Sequence, residues 1–447
     1  MKLTFYGGVG EVSGANYVLE SGDTKIMIDC GLHQGSYFTE EQNWKPFKYD
    51  PEEISAVFIT HAHIDHTGNL PKLVKSGFKG KIYSTPPTKD FTNLLLLDSE
   101  HILLQEAERL KKPALYGMEE VEKVMQLWEG LPYHQEMEIG PFKIVLYNAG
   151  HILGSSIVVV EADGRRIAFS GDLGNSPAPI IKERENLDIE IDYCLVESAY
   201  GNRLHPATQK GIIEDVIEDT NKKGGTLVIP AFAMERTQKF LFEINELMEN
   251  QRVPKIPVFL DSPLAIKITE VYKKYPDYFD EETTALMMRD KNLFEFPGLR
   301  KTLTTEESKA INDVKPPKVI IAGAGMMRGG RILHHAKRYL PDPKSTIMFI
   351  GYQVKNSLGR RIEEGEKKVR IHGEEVAVRC RVVVAEEYSA HADQKQILEW
   401  LYAMRLSLKK TFVVQGEEDA ASALAQKVVN DLAISAEIPK IGKPYEL

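Results

Sequence analysis

Residues 56–68 read AVFITHAHIDHTG, and this stretch decides the fold. The apolar, β-branched run Ala56–Thr60 predicts a buried strand, and the polar residues that follow it predict a loop at the strand's end. His61, His63, Asp65 and His66 then place four candidate ligands within six residues. Neutral imidazole and carboxylate are zinc-binding side chains, and a short loop after a rigid strand brings them together at little entropic cost. A lone buried histidine is usually structural, but three with an aspartate at HxHxDH spacing point to a metal. Further along the chain, His151 follows the strand-like FKIVLYNAG, Asp172 follows RRIAFSG, and Asp29 ends KIMID. Taken singly, each fits a turn or cap. Together they complete a ligand set, with Asp29 suited to orienting a ligand by hydrogen bonding rather than binding the ion.

The chain has 447 residues, with 65 acidic against 56 basic side chains, for a formal charge of −9. That length predicts two or three domain-sized units. A composition of 43% hydrophobic and 27% charged residues excludes collagen-like, disordered and disulfide-dense chains. Apolar stretches such as Val319–Met327 fall short of the roughly 18 residues that a membrane span needs. The N-terminal MKLTFYGGVGEV lacks the continuous apolar segment of a secretory signal. Cys30, Cys194 and Cys380 are far apart and form no CxxC pair, which excludes a cysteine zinc site and predicts a reducing, cytoplasmic setting. The acidic balance gives no global field for nucleic acid, so any such binding requires a local basic cleft.

The first 200 or so residues alternate short β-branched runs with turn glycines (YVLE, KIMID, AVFIT, KIYST, FKIVLYNA, SIVVVEA, RRIAFSGD, DYCLVES), broken by helical stretches at Phe91–Lys112 and Met118–Trp128. From about Gly211 the rhythm becomes strand, loop, helix: TLVIP then AFAMERTQKFLFEINELM, PVFLD then SPLAIKITEVYKKY, KVIIA then GAGMMRGGRILHHAKRYL. That rhythm predicts a parallel α/β sheet. Tyr275–Val314 turns polar and irregular, with peripheral helical pieces. KKVRIHG and EEVAVRCRVVVA read as paired strands, followed by TFVVQG and a closing helix over Asp419–Leu432. No solenoid repeat or low-complexity linker is present.

Asp29, His61/His63/Asp65/His66, His151 and Asp172 match in order the motifs of the metallo-β-lactamase fold. That resemblance implies an αββα sandwich with two metals at one edge and metal-assisted hydrolysis, with the substrate left open. The second half narrows the substrate. GEVSGANY, ESAYGNRLH (Glu197–His205), PAFAMERTQ, DSPLA, AGMMRGGRILHH, GYQVKNSLGRR and EYSAHADQ resemble the β-CASP nucleases, a group that includes the cleavage and polyadenylation endonuclease subunit, RNase J and compact bacterial RNases. The resemblance covers nearly the whole chain and implies an inserted parallel α/β β-CASP domain. It divides the chain into 1–203 (first part of the metallo-β-lactamase domain), 204–384 (β-CASP) and 385–447 (return segment). On this resemblance the expectation is a chain with neither the KH domain nor the C-terminal extension that some members carry.

The resemblance also implies roles. His61, His63 and His151 would hold a first zinc, Asp65 and His66 a second, and Asp172 would bridge both, with a hydroxide between the ions attacking phosphorus in line. Glu197 and His391 map to the family's acid/base motifs, with His391 protonating the leaving 3′ oxygen. One position departs from the pattern. RNA-cleaving members bind the second zinc with a histidine before Gly-Glu, where this chain has TFVVQGEE and therefore Gln415; members acting on DNA often carry valine there. Asp65, His66, Asp172 and the hydroxide still supply four ligands, and the Gln415 amide oxygen could add a weak contact as a weak or lost ligand, so the expectation is two zinc ions, the second weaker and more easily lost.

AGAGMMRGGR satisfies neither GxGxxG nor a following GK[ST], which excludes dinucleotide and P-loop readings. It reads instead as a strand-to-helix loop whose amides receive a backbone phosphate. Arg236, Arg328, Arg331, Arg360 and Arg361 could line a channel between the domains, or could instead pair with the abundant glutamates. Tyr200, Phe232 and Tyr352 are candidates for base stacking. These readings predict a zinc-dependent ribonuclease acting on single-stranded RNA and leaving a 5′ phosphate and 3′ hydroxyl, with homodimerisation as the group commonly shows. Two alternatives stay open: a catalytically weakened RNA-binding subunit, which Gln415 favours, and a hydrolase for DNA or a small phosphoester.

Overall fold

The computed structural model describes residues 1–447 except 36, 206–210, 290–291, 352, 354–356 and 386–388. It forms two compact units, one of Met1–Leu204 with His391–Leu447, the other of His205–Ala390.

The first unit is an αββα sandwich of two seven-stranded sheets. One sheet runs, edge to edge, Pro444–Glu446, Lys2–Gly7, Asn16–Ser21, Thr24–Cys30, Ile54–Phe58, Lys81–Ser84 and Trp128–Gly130. The other runs Ser435–Glu437, Lys410–Val414, Tyr193–Glu197, Arg165–Phe169, Ser156–Ala162, Phe142–Asn148 and Met137–Ile139. Side-chain alternation builds three apolar layers from these strands. Ile26, Ile28, Ala56, Phe58, Val158, Val160 and Phe169 face the space between the sheets. Their neighbours Met27, Val57 and Ile59 turn outward with Leu70, Leu96 and Val124 of the covering helices, and Ile157 and Val159 turn outward with Ile397, Trp400 and Leu424. Strands covered on both faces read as continuous apolar runs, which is how this sequence writes them. Burying each large side chain contributes about 1.5–3 kcal/mol.

The return segment completes both sheets: Lys410–Val414 pairs in parallel with Tyr193–Glu197, and Pro444–Glu446 pairs with Lys2–Gly7. The helix expected from Phe91 begins earlier, at Pro86, and ends at Leu110. Proline is favoured in a first helical turn, so the PP pair opens this helix instead of breaking it.

The second unit is a six-stranded parallel sheet in the order Leu299–Lys301, Val258–Asp261, Lys318–Ala322, Thr226–Pro230, Thr346–Phe349, Arg381–Val384. Helices include Ile212–Lys223, Arg236–Glu249, Pro263–Tyr272 and Ile332–Tyr339. Two features differ from expectation. Leu299–Lys301 adds an edge strand inside the segment read as irregular, where a short polar strand carries no alternation to detect. EEVAVRCRVVVA is split between two sheets: Glu374–Ala377 pairs antiparallel with Lys368–Ile371, while Arg381–Val384 pairs in parallel with Thr346–Phe349. The break comes where the amides of Arg379 and Cys380 both bond the Leu340 carbonyl. All three cysteines are buried and unpaired. Among the described residues, no helix is long and apolar enough to cross a membrane.

Candidate metal centre

The predicted ligands meet at one end of the sandwich, within the first unit. Asp29 closes its strand in the left-handed region, at φ 59°, fully buried. Its Oδ1 accepts the Thr60 backbone N–H at 2.8 Å, and its Oδ2 accepts the Thr60 hydroxyl at 2.8 Å and lies 2.7 Å from His66 Nδ1. A carboxylate accepts only, so His66 carries a proton on Nδ1. The Thr60 hydroxyl in turn lies 3.1 Å from His61 Nδ1. Asp29 and Thr60 therefore orient His61 and His66 together. The HxHxDH loop packs so closely that a Cβ on Gly31 would lie 1.5 Å from the Asp65 carbonyl oxygen, which requires glycine there. His151 is held by its own turn, its amide donating to Ser155 Oγ at 3.0 Å.

His61, His63, His151 and Asp172 offer four donor atoms within 4.8 Å of one another. His63 Nδ1 is 3.0 Å from His61 Nε2 and 3.3 Å from His151 Nε2, and Asp172 Oδ2 is 3.4 Å from each of the latter two. Ligands at 2.0–2.1 Å around a tetrahedral ion stand about 3.3–3.4 Å apart, so this set fits one metal ion. Burial keeps the His61 and His151 pKa values low, so these imidazoles keep their lone pairs. Burial opposes ionisation of Asp172, but His66 and His61 outweigh it and hold the carboxyl well below the usual range.

The second expected set is looser. His66 Nε2 is 3.4 Å from Asp172 Oδ1 but 4.0 Å from Asp65 Oδ2. Gln415 closes against this set, its Nε2 2.7 Å from His66 Nε2 and 3.2 Å from Asp172 Oδ1. Burial opposes a charge on His66, but Asp29 and Asp172 raise its pKa well above the ordinary value.

Beside Asp172, Glu197 is fully buried and lies 3.2 Å from His391 Nδ1, which is 3.8 Å from Asp172 Oδ2. Glu197 Oε1 accepts the Leu173 amide at 2.6 Å. Burial pushes the Glu197 carboxyl up, against the opposing pull of His391. A backbone bridge between Gly174 and His391 fixes the loop, and the Tyr200 ring stacks on His391 at 5.9 Å.

Most of the arginines proposed for RNA have local partners in the second unit. Arg331 bonds Asp261 at 2.8 Å and the carbonyls of Thr302 and Leu303. Arg360 pairs with Glu364 and Arg361 with Glu366, as the ion-pair alternative anticipated. Arg236 is buried beside Glu235 and over the Phe232 ring; Arg328 is exposed at the surface of the same unit. Tyr352 lies outside the described residues. Sequence reading missed Thr60 and Ser155. Thr60 was findable, because the residue between a strand and HxHxDH is placed to bond Asp29.

An αββα sandwich with a buried His/Asp cluster at its strand ends is the architecture of a metallo-hydrolase. Comparison with known families agrees: residues 9–193 match the Metallo-beta-lactamase superfamily, 237–362 the Beta-Casp domain, and 375–439 the Zn-dependent metallo-hydrolase RNA specificity domain. The chain belongs to the β-CASP family of the metallo-β-lactamase superfamily. It is 36% identical to Ribonuclease TTHA0252 of Thermus thermophilus, over 95% of each chain. It is 32% identical to Transcription termination factor FttA of Methanosarcina mazei, over 97% of this chain and 70% of that one. It is 30% identical to the RNase J-like protein of Methanocaldococcus jannaschii, over 98% of each. A crystal structure of a protein of unknown function from Enterococcus faecalis V583 aligns over 100% of this chain and 99% of its own, with a TM-score of 0.58 at 12% identity, a likeness of fold.

Proposed function

We propose that this protein is a zinc-dependent ribonuclease that hydrolyses phosphodiester bonds of single-stranded RNA. The observation that carries the reading is the convergence of His61, His63, His151 and Asp172 on one ion-sized space, with the Glu197–His391 pair against the same Asp172. Zinc is the metal that a three-histidine, one-carboxylate tetrahedral set suits best. A zinc ion held by His61, His63, His151 and Asp172 would acidify water and offset negative charge on the phosphate oxygens. The protein's own groups do the rest. Asp29 and Thr60 hold His61 and His66 in register, and Glu197 orients His391 through Nδ1. His391 then gives a proton to the 3′ oxygen as water attacks phosphorus in line, loses its own proton to solvent and displaces O3′, leaving a 5′ phosphate and a 3′ hydroxyl. The second expected zinc, on Asp65, His66 and Asp172, is the weaker part of this reading.

The relatives named ribonuclease and RNase J-like support RNA as substrate. We assign 204–384 to the inserted β-CASP domain, with Arg328 among its contacts to phosphate, and the buried, unpaired cysteines support a cytoplasmic setting. The closeness of Gln415 to His66 and Asp172 keeps the weakened RNA-binding subunit as a second reading.

The test is cleavage of end-labelled single-stranded RNA and DNA by the purified chain, with metal content measured on the same sample. RNA cleavage that yields 5′ phosphates, and that disappears with the bound metal in Asp172→Ala, is the expected result. A metal-loaded chain that binds RNA without cutting it would establish the binding subunit. Cleavage of DNA alone would replace the substrate.

A further inference from the structure

Gln415 is built into the centre rather than resting beside it. It ends the strand Lys410–Val414 with φ 49°, is 3% exposed, and donates its backbone N–H to the Gly8 carbonyl at 2.7 Å. From that anchor, its carboxamide reaches the two atoms that a second ion would need most: His66 Nε2 at 2.7 Å and Asp172 Oδ1 at 3.2 Å. We infer that the Gln415 carboxamide takes the place of a second metal ion, so that this chain carries a mononuclear centre on His61, His63, His151 and Asp172. The inference rests on the metal reading of the preceding subsection and sharpens it.

Three observations carry it. First, the carboxamide stands in the position of an ion: its nitrogen, which has no lone pair to offer a cation, lies within hydrogen-bond distance of both His66 Nε2 and Asp172 Oδ1. Second, Asp172 is divided between two tasks. Its Oδ2 faces His61 and His151, while its Oδ1 faces His66 and Gln415. The oxygen that a second ion would take is thus already within hydrogen-bond distance of the Gln415 amide. Third, Asp65, the remaining donor, stands 4.0 Å from His66 Nε2, wider than the 3.0–3.4 Å at which His63 Nδ1 and Asp172 Oδ2 stand from His61 and His151.

The experiment is zinc titration of the metal-stripped full chain by calorimetry, with zinc content measured after gel filtration and folding checked by circular dichroism. The wild-type chain is expected to take up one equivalent and to keep one in zinc excess, while Gln415→His takes up two. Gln415→Ala, which removes the amide but leaves Asp65, His66 and Asp172, is expected to gain a second equivalent of weaker affinity. Two equivalents in the wild-type chain would overturn the inference and leave the metal reading intact. None would overturn both. A folded Gln415→His chain that stays at one equivalent would also overturn it, since residue 415 would then not be what excludes the second ion. If that variant does not fold, the wild-type stoichiometry decides alone.

Discussion

At the scale of the residue, the chemistry rests on the hydrogen bonds that orient the rings of His61 and His66. Asp29 lies outside the four-donor set, yet its two oxygens set Thr60 and, through it, the orientation of His61 as well as His66. Asp29→Asn keeps the shape but puts a donor where His66 and Thr60 need an acceptor. It is expected to weaken metal affinity by about 10–100-fold, read by competition with a chromophoric chelator. His391 has the opposite profile, because it lies against Glu197 and outside the four-donor set. His391→Ala is expected to lower kcat by about 10²–10⁴-fold while metal content is unchanged, seen in steady-state cleavage beside elemental analysis.

At the scale of the element, the second unit ties its strand ends together through one carboxylate. Asp261, buried at the end of Val258–Asp261, accepts from His335 at 2.7 Å, Ser308 at 2.7 Å, Thr302 at 2.5 Å and Arg331 at 2.8 Å. It thereby joins two helices and the segment after the edge strand. Burial alone would raise its pKa, but those four donors outweigh burial and hold it at about 2, against an ordinary 3.8. A folded-state pKa below the unfolded one stabilises at pH values above the unfolded pKa, and that stability is lost as pH falls from near 4 through about 2. The difference corresponds to about 2 kcal/mol. Urea unfolding of wild type and Asp261→Asn should therefore differ most at neutral pH and converge as the pH approaches 2. Arg331 belongs to this tie, which is why its guanidinium is spent on structure.

At the scale of the whole molecule, an acidic chain must meet an acidic polymer. With a net charge of −9, attraction for RNA has to come from a local set of basic groups that outweighs the overall repulsion. Association should then fall steeply with salt, the slope of log K against log salt being about −0.7 for each phosphate contacted on a single strand. Fluorescence anisotropy of labelled RNA with the slow His391→Ala variant measures that slope, and a flat response would mean that phosphates are not contacted.

Much of this protein was legible in the sequence because its signals are short-range. HxHxDH after an apolar strand, a run of doubly buried strands and the change to a strand–loop–helix rhythm all depend on neighbours within a few residues, where spacing constrains geometry. The amino-acid sequence thus determined the candidate ligands and the parallel sheet of the second unit, and it carried the motifs whose family resemblance implied the αββα sandwich. Contacts between distant segments were decided only by the tertiary structure. Glu197 and His391 are 194 residues apart and meet because Tyr193–Glu197 lies beside the returning chain. Gln415 reaches His66 across 349 residues. The division of EEVAVRCRVVVA between two sheets likewise depended on which partner strand each half met. Local pattern specifies that a side chain is buried or that a strand is extended. Which atom lies opposite it depends on the packing of the whole fold, and for Gln415 that packing sets its carboxamide 2.7 Å from His66 Nε2 and 3.2 Å from Asp172 Oδ1.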